Sequence, residues 1–360
     1  PGPDSIGAIA LSHSGGGAAA QTCGLVELEP IKVAEIVKNR PSWLQDCRRL
    51  EILATFNADR GGLVEIVHTQ MYAPTTLAAS RDFWTLRYTC CLEDGSLVIC
   101  ERSLTAGQGV QAIPITPGFV RTEILPSGYL IRPCEHGGSM VIVVDDMNFK
   151  VLRHLRSVAR ERAEEGLVGN NQTALLRGFS HRLVRGFNDA VNCFTDDGWI
   201  SIISDGPSTV SVHINPPPNC RQMGLPETLN TVSALRGGII CAKASLLLQG
   251  VPPALLVRFL RERRTAWTEL ETEILQADSS RTSTHDTLPK GKLSSVQVFQ
   301  STAGQDEVLE VVRLQKPRSP RGDDANHADN FLLQLCSGID DTAASAYAQL
   351  IFAPIDASVP

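Results

Sequence analysis

Residues 80–103 are the part of the sequence that predicts the fold most clearly. Residues 80–91 read SRDFWTLRYTCC and residues 96–103 read SLVICERS, with Asp94 and Gly95 between the two runs. Both runs are rich in aromatic and β-branched residues, which favour strands. The dipeptide Asp-Gly is typical of a tight turn between antiparallel strands. The sequence therefore predicts a β-hairpin here.

Similar runs separated by turn residues lie on both sides of this hairpin. They predict further strands at residues 50–56, 63–72, 119–125, 129–134 and 139–144. Helical spacing of apolar residues precedes the strands at 29–50 and follows them at 148–165. The first half of the chain is thus predicted to be an antiparallel meander closed by a long helix.

The second half alternates in the same manner. Residues 167–174 are small and polar and are interpreted as a linker between a domain over 1–166 and a domain over 175–360. Helices are predicted at 175–194 and 252–274, and strands at 199–204, 209–214, 238–248, 294–299, 307–314, 331–336 and 346–353. Both domains are therefore expected to be α+β.

An internal repeat relates the two halves. Residues 28–43 run from Leu-Glu-Pro through an apolar helix to a tryptophan, and residues 251–267 run from Val-Pro-Pro through another helix to a tryptophan. An Ala-Pro pair follows in the same order, at 73–74 and at 353–354. We interpret the second domain as related in plan to the first; the alternative is chance recurrence of apolar helices and strand ends.

Composition narrows the functional class. The 360 residues are 42% hydrophobic but only 5% aromatic, so a cavity would be walled by aliphatic side chains and would suit an aliphatic ligand. The net charge of −6 argues against DNA binding by this chain alone, because phosphate contacts need a basic face. Ten cysteines without a C-x-x-C pair indicate a reducing, intracellular compartment. Stable membrane insertion is not expected, since no apolar run approaches the length of a membrane span.

Sequence motifs of enzymes are missing. The chain has no G-x-S-x-G elbow, no H-E-x-x-H pair and no phosphate-binding glycine loop, and its eight histidines are scattered. Cys134, Glu135 and His136 lack a second ligand pair nearby, so a metal site is not favoured. The prediction is a protein without enzymatic activity, cofactor or bound metal.

Several motifs resemble a known family. The run 80–88, together with 94–96, 101–103, 119–121 and 127–133, resembles a START domain. Residues 1–7 (PGPDSIG), 40–43 (RPSW), 72–78 (YAPTTLA), 185–190 (RGFNDA) and 351–356 (IFAPID) resemble the plant class III homeodomain-leucine zipper proteins. The resemblance extends over nearly the whole chain.

The resemblance implies a fold and a function. It implies a START helix-grip fold, in which a curved antiparallel sheet surrounds a long C-terminal helix beside a tunnel for a sterol or phospholipid. It also implies a nuclear, homo- or heterodimeric transcription factor whose lipid-binding region tunes DNA binding or transcription. The zipper and the DNA-binding homeodomain are not in this sequence. The first START helix is expected before Pro1, the closing helix after Phe149 is expected to be short, and the second domain is expected to continue past Pro360.

Strand alternation identifies candidate ligand-binding residues. It puts Arg81, Phe83, Thr85 and Arg87 on one face of the strand, and the resemblance implies that Arg87 points into the cavity. A buried guanidinium needs a carboxylate partner, and Glu65 and Glu101 lie on neighbouring predicted strands. The predicted ligand-binding set is Arg81, Arg87, Glu65, Glu101, Phe83, Thr85 and Arg121.

Alternatives remain open at this stage. The arginine and its carboxylates form either a polar anchor for a lipid or an ordinary surface salt bridge. The opposite face, with Trp84, Leu86 and Tyr88, is expected to pack against the second domain. An intracellular lipid-transfer protein and a ligand-free interaction scaffold remain the rival functions.

Overall fold

The structure is a computed structural model. It describes residues 7–13, 17–58, 61–73, 78–104, 116–135, 137–145, 150–165, 172–203, 210–217, 238–263, 292–297, 307–315, 330–337 and 348–355. Two compact units are present. The first combines Pro1–Gly169 with Arg185–Leu246, and the second combines Asn170–Val184 with Leu247–Pro360.

A nine-stranded sheet forms most of the first unit. Its strands are β1 (Gly7–His13), β2 (Gly17–Val26), β3 (Cys47–Asn57), β4 (Leu63–Met71), β5 (Ser80–Cys91), β6 (Leu97–Ser103), β7 (Phe119–Arg121), β8 (Ser127–Pro133) and β9 (Ser139–Asp145). The strand order is β1-β2-β9-β8-β6-β5-β4-β3, and β7 pairs with β5 beside this path. Neighbours along the path run antiparallel, which confirms the predicted meander.

The hairpin between β5 and β6 has the turn that Asp94 and Gly95 predict. The backbone N–H of Leu92 donates to the carbonyl of Ser96 at 2.8 Å, and the Asp94 carboxylate accepts from the N–H of Ser96 at 2.9 Å. Gly95 has a φ of 77°, a left-handed conformation that glycine adopts without steric cost. The turn fixes the register in which Arg87 lies opposite Glu101.

Two features of the sheet differ from the prediction. The strand predicted at 119–125 is the three-residue β7, which pairs parallel to β5 and so is not part of the antiparallel meander. The hairpin of β1 and β2 was not predicted, because its glycines, alanines and serines lack the β-branched and aromatic residues that mark strands. This hairpin extends the sheet beyond β9 through the pairing of β2 with β9.

Two helices cover one face of the sheet. Helix α1 (Pro30–Lys38) begins with proline, whose missing N–H costs nothing in a first turn, and a 3₁₀ turn follows at Arg40–Ser42. Helix α2 (Lys150–Glu165) is the predicted closing helix. The core between helices and sheet includes Val26, Leu28, Val33, Val37, Trp43, Leu44, Ile99, Tyr129, Ile131, Val141, Val143, Val151, Leu152 and Leu155.

A helix and a small sheet complete the first unit. Helix α3 (Gln172–Asn192) belongs to the second unit up to Val184 and to the first unit from Arg185 onward. A 3₁₀ turn at Thr195–Asp197 leads into the antiparallel strands β10 (Ile200–Ile203), β11 (Val210–Asn215) and β12 (Ile239–Ala244). By contacts, residues 185–246 therefore group with the first unit. Of the predicted linker, 167–171 lie outside the described residues and 172–174 are helical.

The second unit has a four-stranded antiparallel sheet. Its strands are β13 (Lys292–Gln297), β14 (Glu307–Gln315), β15 (Asn330–Ser337) and β16 (Gln349–Ile355), in sequential order, and helix α4 (Pro253–Glu262) precedes them. The predicted continuation of α4 to residue 274 lies outside the described residues. The buried core of the second unit consists of Val184, Leu309, Leu335 and Ile351.

The predicted α+β class is confirmed, and the START-like plan of the second domain stays a prediction. Among the described helices, none combines the length and apolar character that a membrane span requires.

Candidate functional site

Three adjacent strands bring the predicted charged residues together. Glu65 on β4 lies directly opposite Arg87 on β5, and Arg87 lies opposite Glu101 on β6. All three residues are buried, with relative exposures of 4%, 2% and 5% respectively. Because side chains alternate along a strand, they share one face of the sheet with the core residue Ile99. The surface salt-bridge alternative is therefore wrong.

Glu65 holds one half of this row. Its Oε2 atom accepts a hydrogen bond from Nε of Arg87 at 2.9 Å and lies 3.1 Å from Nζ of Lys38. Nη1 of Arg87 also donates to the backbone carbonyl of Lys38 at 3.2 Å, at the last residue of α1. The carboxyl end of α1 therefore meets the sheet at this ion pair.

Glu101 holds the other half. Its carboxylate forms a two-pronged ion pair with the guanidinium of Arg40, in which Nη1 donates to Oε1 at 3.0 Å and Nη2 contacts Oε2. Oγ1 of Thr85 donates to Oε1 at 2.5 Å, and Nη1 of Arg40 lies 3.4 Å from Oγ1 of Thr69. We call Lys38, Arg40, Glu65, Thr69, Thr85, Arg87 and Glu101 the ionic cluster.

Electrostatics keep both carboxylates of the ionic cluster charged. Burial disfavours the ionised form of Glu101, but the charge of Arg40 and hydrogen bonds from Arg40 and Thr85 outweigh it and lower its pKa. Burial likewise opposes ionisation of Glu65, and the hydrogen bond and charge of Arg87 lower its pKa. Burial also disfavours the charged form of Arg40, yet Glu101 raises its pKa. Three cations therefore face two carboxylates.

Three predicted residues lie away from the ionic cluster. Arg81 is exposed near the start of β5, and Phe83 is half-buried. Nε and Nη2 of Arg121 each donate to Asp82 at 2.9 Å, and the guanidinium lies 5.7 Å from the ring centre of Trp84. Asp82 and Trp84 occupy even positions of β5, whereas the residues of β5 in the ionic cluster occupy odd ones, so Arg121 belongs to the other face.

The prediction also missed three members of the ionic cluster. Thr69 follows Glu65 at the strand spacing of β4, so alternation was a signal that could have found it. Lys38 and Arg40 lie at the end of α1 and in the 3₁₀ turn, far from their partners in the sequence. Their cationic side chains become partners of the sheet only through tertiary packing of α1.

The opposite face of the sheet carries an apolar groove of about 470 Å³. It is lined by Leu86, Tyr88, Val98, Cys100, Glu101, Arg102, Pro126, Ser127, Gly128, Tyr129, Leu130, Ile142 and Val144. The expectation that the second domain covers Trp84, Leu86 and Tyr88 stays a prediction. In the described part of the chain, no cluster of three or more His, Cys, Asp or Glu side chains is arranged to hold a metal ion.

Comparisons with known proteins identify a family model and relatives that are similar to this chain. The START domain family model matches residues 2–168. Homeobox-leucine zipper protein HOX32 of Oryza sativa subsp. japonica is 50% identical over 389 residues, which cover 99% of this chain and 45% of that protein. ATHB-14 of Arabidopsis thaliana is 48% identical over 391 residues, covering 99% and 46% respectively. This chain thus spans slightly less than half the length of these relatives.

Solved structures give a more distant likeness. Human StAR-related lipid transfer protein 5 is 17% identical, covers 45% of this chain and 85% of its own, and has a TM-score of 0.37.

Proposed function

We infer that residues 2–168, which match the START domain family model, form a START domain within a chain that matches homeobox-leucine zipper proteins along nearly all its length. We propose that it is the lipid- or sterol-binding regulatory region of a class III homeodomain-leucine zipper transcription factor. Ligand occupancy tunes DNA binding or transcription. The complete protein acts in the nucleus, dimerises through its zipper and contacts DNA through its homeodomain.

The ionic cluster is the main structural support for this proposal. Replacing a buried ion pair with well-packed apolar residues is often neutral or stabilising, so stability alone does not account for five buried or half-buried charges. The cluster lies on the same face of the sheet as the aliphatic core and has one more cation than carboxylates. Such a combination provides an apolar environment with one polar anchor, which orients a lipid hydroxyl or an anionic headgroup.

Lipid retention tests the binding step. The chain is purified from cells, native mass spectrometry measures bound mass, and extraction identifies the lipid. We expect the double variant Arg87→Met/Glu65→Met to retain at least about tenfold less lipid, a loss of about 1.4 kcal/mol of binding free energy. The same changes at exposed residues, Arg132→Met/Glu51→Met, provide the matched control. Equal retention by both double variants, with unchanged circular dichroism, contradicts a role of the cluster in binding.

A reporter assay tests the regulatory step. The corresponding region of HOX32 is replaced by this chain, and transcription is measured from a promoter with homeodomain sites. The variant Arg87→Met/Glu65→Met is expected to change reporter output relative to Arg132→Met/Glu51→Met at equal protein levels and equal nuclear localisation. If lipid is lost while reporter output stays unchanged, the chain binds lipid but does not regulate through it.

A ligand-free scaffold is the second candidate, and the packing on α2 favours it. Val151, Leu152 and Leu155 are completely buried in the core between α2 and the sheet. If no lipid co-purifies with the chain and added phosphatidylcholine vesicles deliver none, the scaffold is the better explanation. A lipid-transfer protein differs again, because it accelerates exchange of fluorescent lipid between two vesicle populations.

A further inference from the structure

The carboxyl end of α3 has an unusual backbone. Cys193, the residue after the last turn of α3, has a φ of 48°, and it is the only residue other than glycine in the described ranges with a positive φ. Glycine usually occupies this left-handed position after a helix, because a Cβ atom is strained there. The backbone conformation of Cys193 therefore costs free energy that a glycine would avoid, and the protein has a cysteine side chain there despite this cost.

The Cys193 thiol meets a second thiol from a distant strand. Sγ of Cys193 donates to the backbone carbonyl of Ala190 at 2.6 Å, and Sγ of Cys241 donates to the same carbonyl at 3.2 Å. Because both thiols donate to one carbonyl oxygen, the two sulfur atoms lie close to each other. Cys241 lies on β12, opposite His213 of β11, and is more accessible than the buried Cys193.

The surroundings of the pair disfavour the thiolate form of Cys193. Burial, followed by the neighbouring Cys241, raises the pKa of the Cys193 thiol to about 12. A thiolate that is this unfavourable is a poor leaving group, so a disulfide that contains it resists reduction. Lys243 lies beside the pair, with Nζ donating to the carbonyl of Val191 at 3.0 Å. Its ammonium group partly offsets the burial of Cys193 and assists the attack that requires a thiolate.

We propose that Cys193 and Cys241 are a redox-active pair that forms an intrachain disulfide with oxidised glutathione as the two-electron oxidant. The Cys241 thiolate attacks one sulfur of glutathione disulfide, forms a mixed disulfide and releases one glutathione thiolate. The Cys193 thiol then attacks Sγ of Cys241 and releases the second glutathione thiolate, to which the proton of Cys193 passes. The two protons from the protein thiols end on the two released glutathiones. The new bond fastens the end of α3 to β12.

Equilibration of the chain in glutathione buffers of stepped redox ratio tests this proposal. Exchange is stopped with acid, free thiols are alkylated with N-ethylmaleimide in denaturant at neutral pH, and peptide mass spectrometry without reduction identifies the cross-linked cysteines. We expect a Cys193–Cys241 peptide at redox ratios at least about tenfold more reducing than those that link any other pair. The oxidised chain is also expected to melt at a higher temperature than the reduced chain, because the bond closes a long loop of the unfolded state.

Matched variants separate pairing from folding. Cys193→Ser and Cys241→Ser should each abolish the cross-link and the oxidation-dependent rise in melting temperature, whereas Cys100→Ser should preserve both. Cys193→Gly removes the thiol and relieves the backbone, so it confirms that the reduced chain folds without this side chain. The proposal is overturned if N-ethylmaleimide labels both cysteines across the whole range of ratios. It is equally overturned if Cys241 carries only glutathione, or if another pair forms first.

Discussion

At the scale of single residues, Glu101 is a buried carboxylate whose ionised form depends on its partners. It is buried on β6 and accepts hydrogen bonds from Arg40, which lies 61 positions away in the chain, and from Thr85 on the neighbouring strand. A buried carboxylate is stable only while such partners are present, and Arg40 in turn depends on Glu101. The energetic importance of the pair therefore appears when one partner is removed.

We expect Glu101→Gln to destabilise the chain by about 3–5 kcal/mol, because it leaves the charge of Arg40 buried without a carboxylate. Urea unfolding followed by circular dichroism measures the loss. Glu51→Gln makes the same chemical change at an exposed position of β3 and should stay within about 0.5 kcal/mol of the parent chain. A loss of similar size in both variants would indicate that the ion pair adds no specific stability.

The same carboxylate predicts how stability depends on pH. The folded-state pKa of Glu101 lies below its ordinary value of 4.5, so the folded state favours the ionised form more than the unfolded state does. Its contribution is complete above pH 4.5 and is lost as the pH falls through the lower folded-state pKa. Melting temperatures measured from pH 7 down to pH 3 should therefore fall less steeply for Glu101→Gln than for the parent chain. Parallel curves of melting temperature against pH for the two chains would contradict a stabilising role of ionised Glu101.

Sequence reasoning identified four of the seven residues of the ionic cluster, including Thr85. Glu65, Arg87 and Glu101 follow from strand alternation and from the Asp94-Gly95 turn, because adjacent hairpin strands have a defined register. Arg40 could not be assigned as the partner of Glu101 in this way. Its contact arises from the packing of α1 on the sheet, and no local periodicity encodes which distant carboxylate a side chain meets.

At the scale of elements, the last part of α3 is bound to the first unit by a dense set of contacts. The Tyr72 hydroxyl donates to Asp189 at 2.5 Å, and the Asn192 side-chain oxygen accepts from the N–H of Ala73 and from the Ser80 hydroxyl at 2.8 and 2.9 Å. Arg185 donates to backbone carbonyls at the start of β3. Arg185 and Asp189, within residues 185–190, thus hold the end of α3 to the first unit.

A buried arginine reinforces the same junction. Arg48, at 5% exposure, donates to Gln70 at 2.7 Å and to Asp196 at 2.6 Å, and its guanidinium lies 4.2 Å from the ring centre of Phe194. Phe194 also stacks on Phe119 with ring centres 4.8 Å apart. Contacts with the nine-stranded sheet therefore continue beyond residue 168, where the family match ends.

We expect Asn192→Ala to destabilise the first unit by about 1–3 kcal/mol, since it leaves the N–H of Ala73 and the Ser80 hydroxyl without their acceptor. Asn57→Ala, at the exposed end of β3, is the matched control and should change stability by less than about 0.5 kcal/mol. Chemical unfolding and hydrogen exchange at Ala73 provide the readouts. An unchanged exchange rate at Ala73 in Asn192→Ala would mean that the contact does not hold the junction.

Elements were predictable where local chemistry marks them. Runs of β-branched and aromatic residues identified the strands from β3 to β6, whereas the parallel pairing of β7 with β5 depends on how the chain between them returns. The two halves of the internal repeat have a similar ion pair at corresponding positions. Lys38 near the end of α1 pairs with Glu65 on a strand, and its counterpart Arg261 near the end of α4 pairs with Glu310 on β14. Each unit thus has a cation from its helix end paired with a sheet carboxylate.

At the scale of the whole molecule, the acidic charge of this chain argues against DNA binding by the chain itself. The sequence has 39 acidic and 33 basic residues, and many described cations already have carboxylate partners. Such pairs include Arg40 with Glu101, Arg48 with Asp196, Arg87 with Glu65, Arg121 with Asp82 and Arg261 with Glu310. Cations that are paired with carboxylates do not neutralise DNA phosphates. The phosphates therefore keep their counterions, whose release drives binding to DNA.

We therefore expect the chain by itself to bind duplex DNA with a Kd weaker than roughly 10⁻⁴ M at physiological salt, the weak end of nonspecific binding. Fluorescence anisotropy at several salt concentrations measures this, and a chimera that joins the homeodomain and zipper of HOX32 to the chain is the positive control. The basic run on α2, which includes Arg156 and Arg160, is the strongest source of a contrary result. Tight binding whose salt dependence weakens in Arg156→Gln/Arg160→Gln would show that α2 contacts phosphate and would contradict the prediction.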